Sequence, residues 1–268
     1  MNTPKIFDAH CHIFPLKIAE KATASIGAFY DISMAQVGSP EKLREEADAL
    51  GLVGCLVCST ATKAEQTHAI NDFIHASVAA ADGFFYGFGT LHQDLSENEL
   101  CAEIDRMVEM GLHGIKLHPD FQKLNIDDPR MLPVYHYAAE KDLPILFHMG
   151  DDRYDYSSPA RLFRVANEVP ALLCMAAHLG GYHAWEEARM LKTCENVIFD
   201  CSSSLEMLSP EEARTQMDIL GYDRILFGSD FPMWHPADVV ELVQKLNLGS
   251  EREEKIFYQN AKRWLHIQ

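Results

Sequence analysis

Residues 114–150 read GIKLHPDFQKLNIDDPRMLPVYHYAAEKDLPILFHMG, and this stretch decides the fold. It opens on a short apolar run, GIKLH (114–118), and closes on another, PILFHM (144–149), with a helix-like segment over 129–141 between them. Near-continuous apolar strands are buried on both faces, and two of them joined through a helix lie parallel in one sheet by a right-handed crossover. Each run also carries at or near its end a polar residue, His118 or His148, that an interior strand does not need.

The same unit recurs on both sides. The other strand candidates are KIFDAH (5–10), LVGCLVCS (52–59), FFYGFGTL (84–91), ALLCMAAH (171–178), VIFDCS (197–202) and ILFGSD (225–230). Helical segments are expected over 39–50, 62–81, 96–110, 158–168, 183–193, 209–220 and 236–246, the first opened by the start signal Ser39-Pro40-Glu41. Eight βα units in 268 residues predict an α/β protein built as a (β/α)₈ TIM barrel, one domain over 1–268, with a doubly wound open sheet as the alternative. Segment 12–38 reads as a long loop after the first strand. The tail 250–265, with Ile256, Phe257 and Trp264 among charges, reads as an extra C-terminal helix packed on the outside.

Composition narrows the function classes. With 47% hydrophobic and 24% charged residues the chain is an ordinary globular protein, which excludes disorder as its main state. Its 23 Lys+Arg against 40 Asp+Glu give a formal charge of −17, which repels phosphate backbones and anionic membrane surfaces, so neither is an expected partner. The start MNTPKIFDAHCHIFP lacks the cationic, apolar pattern of a signal peptide, and no run approaches the ~20 apolar residues of a membrane span; a cytoplasmic location is expected. Seven scattered cysteines suit reduced thiols. Cys55 and Cys58 share a strand that points them to opposite faces, and no second pair completes a zinc site.

The 13 histidines carry the functional signal. Active sites of such barrels lie at the C-terminal ends of the strands. Strand one ends in Asp8, His10 and His12 at alternate positions, strand four in Lys116 and His118, strand five in His148, strand six in His178 and strand eight in Asp230. Alternate residues point the same way, so His10 and His12 can hold one cation, and His148 with Asp230 fills a site that leaves room for water. A metal there lowers the pKa of its water from 15.7 toward ~7. Asp230 then both ligates and takes the proton, and His178 serves as acid/base. His68, His75, His113, His136, His183 and His266 read as surface or packing residues, His92 as a residue placed to line the pocket, and Cys11 as turned into the barrel wall.

DAHCHIFP (8–15), GIKLHP (114–119), LFHMG (146–150), AHLGG (177–181) and LFGSD (226–230) together resemble the metal-dependent amidohydrolase superfamily. The similarity is greatest to its amidohydrolase-related branch, which holds aminocarboxymuconate semialdehyde and resorcylate decarboxylases alongside uncharacterised TIM-barrel hydrolases. The resemblance runs from residue 6 to about 234 and implies metal ligands His10, His12, His148 and Asp230, with His178 as the catalytic histidine. Lys116 matches a position that in some members is a carbamylated lysine bridging two metals; the His118-Pro119 that follows looks like the mononuclear branch. One divalent metal is therefore expected, Zn²⁺ first and Mn²⁺ as the alternative.

Three polar loops face the same end: PDFQKLNIDDP (119–129), GDDRYDYSSPARLF (150–163) and FPMWHP (231–236). Arg153 and Lys116 are expected to bind an anionic group of a small-molecule substrate, with His118 nearby and Trp234 or Phe121 over an apolar part. The alternative is an Arg153 neutralised by Asp151, Asp152 or Asp155. The leading functional expectation is a metal-dependent hydrolase that uses metal-bound hydroxide on an ester, lactone or amide of a small acidic molecule. The alternative is a nonoxidative decarboxylase of a conjugated or aromatic acid, and a third reading is an idle metal-binding barrel. Pairing into a homodimer is left open by the apolar outer segments.

Overall fold

The computed structural model describes residues 4–267, so the extreme ends of the expected span 1–268 lie outside the described residues. Eight strands form one parallel sheet in sequential order: β1 (Phe7–His12), β2 (Gly54–Cys58), β3 (Phe85–Thr90), β4 (Gly114–Leu117), β5 (Ile145–Phe147), β6 (Cys174–Ala176), β7 (Val197–Asp200) and β8 (Ile225–Leu226). The chain just after β8 closes the sheet onto β1, with Ala9 N donating to Phe227 O (2.8 Å) and Asp230 N to His10 O (2.9 Å). Closure makes this a barrel rather than the open sheet that the sequence also allows.

The helices between and after the strands are α1 (Leu16–Tyr30), α2 (Pro40–Leu50), α3 (Thr67–Ala80), α4 (Glu97–Glu109), α5 (Pro119–Gln122), α6 (Leu132–Glu140), α7 (Pro159–Glu168), α8 (Trp185–Ala188), α9 (Pro210–Leu220) and α10 (Pro236–Lys245). Their starts follow local chemistry. Ser39 caps α2 by accepting from Lys42 N, and Ser96 with Glu99 and Ser209 with Glu212 form reciprocal capping boxes on α4 and α9.

Strand residues divide by face. Phe7, Leu56, Phe88, Leu146, Met175 and Ile198 fill the barrel interior, whereas Val57, Ile115, Ile145, Phe147, Phe199 and Ile225 pack outward against the helices. Each such burial removes apolar surface worth about 1.5–3 kcal/mol per side chain, and interior and exterior layers together fix the strand ends that carry the site.

Two expectations are corrected. The segment 12–38 is not a plain loop: α1 occupies its middle. The helix escapes periodicity because its buried stripe is Ala19, Thr23 and Gly27, small residues that allow close packing but carry no apolar signal. A Cβ on Gly27 would meet Ile32 O at 2.7 Å. The tail is helical, as α11 (Ser250–Glu254), a π-helical turn (Lys255–Gln259) and α12 (Asn260–Trp264), but it is not merely external. Tyr258, Ala261 and Ile267 join the interior cluster around Phe7 and cover the N-terminal end of the barrel, because a helix there shields the apolar interior that short strands leave open. No helix among the described residues is long and apolar enough to cross a membrane.

Candidate metal centre and cavity

A bulge in β1 aims the first two histidines. Asp8 pairs with Cys55 and Cys11 with Val57, so three steps on β1 oppose two on β2. The extra residue resets the alternation. Phe7 and Ala9 belong to the interior cluster and Cys11 and Cys55 to the outer one, while His10 and His12 bring their Nε2 atoms to 3.2 Å of each other. Asp8 therefore does not share their face, as strict alternation predicts. Its Oδ1 instead accepts from His10 N (3.2 Å) and Ser229 N (2.9 Å), tying β1 to the end of β8, and burial pushes its pKa up to about 6. Cys11 turns away and Cys58 turns inward, with its Sγ 3.6 Å from His12 Nδ1.

Asp230 completes the convergence. Its Oδ1 lies 3.3 Å from His12 Nε2 and 3.7 Å from His10 Nε2. Ser203 Oγ donates to the other oxygen at 2.7 Å and in turn accepts from Trp234 Nε1 at 2.9 Å. Asp230 (φ 57°), His178 (φ 60°) and Ser203 (φ 50°) all hold left-handed backbone, which costs energy in a non-glycine residue and clusters at functional sites. Gly228 is required by proximity: a Cβ there would press on the Cβ of His10 at 3.0 Å and of Asp200 at 3.3 Å.

Asp200, the last residue of β7, organises the floor. Its Oδ2 accepts from His10 Nδ1 at 3.0 Å, and its Oδ1 accepts from the backbone N of His178 (3.2 Å) and of Ser202 (3.1 Å) and from Ser202 Oγ. With its proton on Nδ1, His10 keeps the Nε2 lone pair free toward the centre. Burial, then Lys116, lowers the His10 pKa to about 4. Lys116 is itself fully buried with Nζ 3.0 Å from His10 Nε2, and burial lowers its pKa too. Two imidazole nitrogens and one carboxylate oxygen pointing at a common point, held from behind by Asp200 and Ser203, suit a divalent cation.

His148 and His178 form the next layer. His178 Nδ1 donates to Ser202 O (3.0 Å), and its Nε2 lies 3.0 Å from His148 Nδ1. His148 Nε2 faces Tyr30 OH (3.2 Å) and Asp120 Oδ2 (3.6 Å). His118 Nε2 lies 3.0 Å from the same tyrosine, and its ring stacks on His148 on one side (3.9 Å) and Phe121 on the other (3.7 Å). Burial pushes the pKa of both His118 and His148 well below the usual imidazole range. Burial also lifts Asp120 to about 6; one of its oxygens is buried without a partner while the other accepts from Ser157 Oγ.

Of the predicted residues, His10, His12, Asp230 and Lys116 meet at one point, with His178 and His148 beside it and His118 beyond. Arg153 is engaged elsewhere: it makes a two-point contact with Asp151, donates from Nη1 to Phe29 O (2.6 Å), and lies over the Phe29 ring. Lys116, Arg153 and Trp234 are not among the residues lining the cavity, whereas His118 and Phe121 are. His92 is buried away from it, accepting from Asp94 N. Sequence reasoning misses Asp200, Ser202, Ser203, Asp120 and Tyr30. Asp200 carries the same strand-end signal as the histidines. Tyr30 carries none, because its partners are 88 and 118 residues away.

Above these groups opens a cavity of 1310 Å³, roofed by α1 and bounded by the loops after β2 and β4. It exceeds the ~300–1,000 Å³ usual for small-molecule sites.

No curated protein matches this sequence. Among solved structures, an uncharacterised TIM-barrel protein from Bordetella bronchiseptica is similar at 20% identity and TM-score 0.81, covering 98% of each chain. A 5-carboxyvanillate decarboxylase from Novosphingobium aromaticivorans, solved with manganese and a nitrobenzoic acid, is similar at 15% identity and TM-score 0.75, over 98% of this chain and 97% of that one. A candidate 2-pyrone-4,6-dicarboxylic acid hydrolase from Pseudomonas putida is similar at 16% identity and TM-score 0.69, over 100% of this chain and 99% of that one. At these identities the likeness is one of fold. The amidohydrolase family model, by contrast, matches residues 7–267, nearly every residue of the barrel and its tail, and the chain belongs to that family.

Proposed function

We propose that this protein is a metal-dependent, nonoxidative decarboxylase of a conjugated or aromatic acid, with His10, His12 and Asp230 holding one divalent ion and His148, whose nitrogens face His178 and Tyr30, serving the proton rather than the metal. This reverses the order of the two sequence-based expectations. The observation that carries it is the paired imidazoles His148 and His178, whose facing nitrogens are 3.0 Å apart in a buried wall of the aromatic cavity.

Replacing a carboxyl group by hydrogen requires a proton delivered to carbon. Two facing imidazole nitrogens share one proton between them, and the Ser202 carbonyl holds the far side of His178 as a donor. The pair therefore presents a proton at a fixed place. His10, His12 and Asp230 would hold the ion, Zn²⁺ by the choice of imidazole ligands or Mn²⁺ as in the Novosphingobium decarboxylase, and when bound it would supply Lewis acidity toward the substrate's carboxylate or its neighbouring oxygen. Lys116, fully buried with its Nζ on His10 Nε2, holds that imidazole from beneath, and Phe121 and Phe29 confine the apolar part. With His10 and Lys116 fully buried and His178 and His148 only 2% and 5% exposed, little bulk water competes for the site.

A second reading, hydrolysis of a lactone or ester, is favoured by Asp230. Its Oδ1 stands beside both histidine nitrogens and its Oδ2 is steadied by Ser203, an arrangement that can take a proton from water. The two separate in one experiment. Metal-loaded protein is incubated with a panel of aromatic and conjugated acids and with their lactones and esters, and the headspace CO₂ and ring-opened acids are measured. Decarboxylation predicts CO₂ and a product lacking one carboxyl; ring-opened acid without CO₂ would establish the second reading instead.

A further inference from the structure

The cavity is far longer than the reacting end needs. From Tyr30, whose hydroxyl touches His118 and His148, α1 runs back over the cavity to Lys21 and Lys17, nine and thirteen residues earlier. At 1.5 Å per residue those lysines stand about 14 and 20 Å along the helix from the site. Ile18, Ala22, Ile26 and Phe29 on α1 face the same space, opposite Ile70 and Phe73 of α3. Ile18 is 44% exposed, so this apolar stripe is not covered by protein. Lys17 and Lys21 stand at the outer end of α1, and Lys123 after α5 and Glu65 before α3 line the same cavity. Among the described residues none of the three lysines forms an ion pair, whereas Arg153, Arg161 and Lys141 are all paired with carboxylates. In a chain of charge −17, unpaired cations lining an apolar channel form a local attraction for an anion.

We propose that the groove between α1 and α3 is a distal substrate subsite, and that the substrate is an elongated small-molecule acid. Its reacting head sits at the metal centre, its apolar middle lies along Ile26, Ile70 and Phe73, and a second anionic group, a carboxylate or phosphate, meets Lys17 and Lys21, with Lys123 adding positive charge along the same cavity. A single-ring acid reaches only the inner part of this space. The assignment of head and tail rests on the proposed reaction, but the subsite itself is tested without turnover.

Two fluorescent probes of like shape separate charge from apolar fit: anilinonaphthalene sulfonate, an anion, and phenylnaphthylamine, which is neutral. Wild-type protein is expected to bind both, and the Lys17→Ala/Lys21→Ala/Lys123→Ala variant to bind the anion about tenfold more weakly while the neutral probe is unaffected, the scale of a few partly screened charge contacts. The corresponding triple Lys→Arg variant should restore anion binding, and Ile26→Trp, which fills the groove, should weaken both probes. Salt should weaken only the sulfonate. Failure of wild type to bind the anion, unchanged anion affinity in the triple alanine variant, or an equal loss for both probes would overturn the subsite. Each of these results leaves the CO₂ assay untouched, so the reaction and the subsite fail separately.

Discussion

Replacing Asp200 by Asn probes how the centre is set up, because it changes one atom in a carboxylate with four hydrogen-bond donors. The amide oxygen can replace Oδ1 and keep the bonds from His178 N, Ser202 N and Ser202 Oγ. The amide NH₂ must then take the place of Oδ2 opposite His10 Nδ1, where the wild type has a donor. Two N–H groups facing each other in a buried site cost about 1–3 kcal/mol. The ring avoids this only by moving its proton to Nε2, which removes the lone pair aimed at the ion. Either way the metal loses. Losing such a supporting partner weakens metal binding about 10–100-fold, or about 1.4–2.7 kcal/mol. The assay is competition of Zn²⁺ or Mn²⁺ between protein and a chelator of known affinity, with far-ultraviolet circular dichroism confirming the fold. A dissociation constant within twofold of wild type in the Asp200→Asn variant would refute the assigned His10 tautomer.

Four further outcomes are expected. Glu206 has both carboxylate oxygens buried without partners, and burial raises its pKa from 4.5 to about 7. The folded state therefore binds this proton more tightly than the unfolded chain, so stability falls as pH rises from about 4.5 to about 7 and is level above. At 1.36 kcal/mol per pH unit this is worth up to about 3 kcal/mol, so Glu206→Gln should raise the melting temperature at pH 8 and leave it unchanged at pH 4; equal shifts at both would contradict the assignment. Arg153 ties the C-terminal end of α1 through Phe29 O and the Phe29 ring. Arg153→Ala should speed amide hydrogen exchange within α1 while metal affinity stays the same. His178→Asn should retain the metal and lose most turnover, and full activity in that variant would remove His178 from the proton pair. Gly228→Ala should weaken metal binding by displacing His10, read by the same chelator competition.

The barrel is legible because burial on both faces makes each strand a short apolar run, as in Ile145–Phe147 and Val197–Asp200. The strand-end histidines are legible for the converse reason: polar residues that end such runs have a purpose other than packing. Two things lie beyond that signal. The bulge in β1 separates Asp8 from His10 and His12 through pairing with β2, and pairing is not written in β1 itself. Helix α1 buries Ala19, Thr23 and Gly27 and turns its larger apolar residues toward a cavity, so it has no core stripe to recognise. Its Tyr30 reaches the site only through the closed fold. Arg153 shows a related limit, since its loop position points to a ligand while Asp151, two residues earlier, already engages it.

The central claim is that His10, His12 and Asp230 hold a divalent ion on which the chemistry depends. Metal content by mass spectrometry, measured on wild-type protein and on the His12→Ala and Asp230→Ala variants after equilibration with Zn²⁺ or Mn²⁺ and gel filtration, tests it most directly. One ion per chain is expected in the wild type, with a large loss in both variants. Wild-type protein that stays metal-free yet turns over substrate, or variants that keep a full complement of metal, would contradict it.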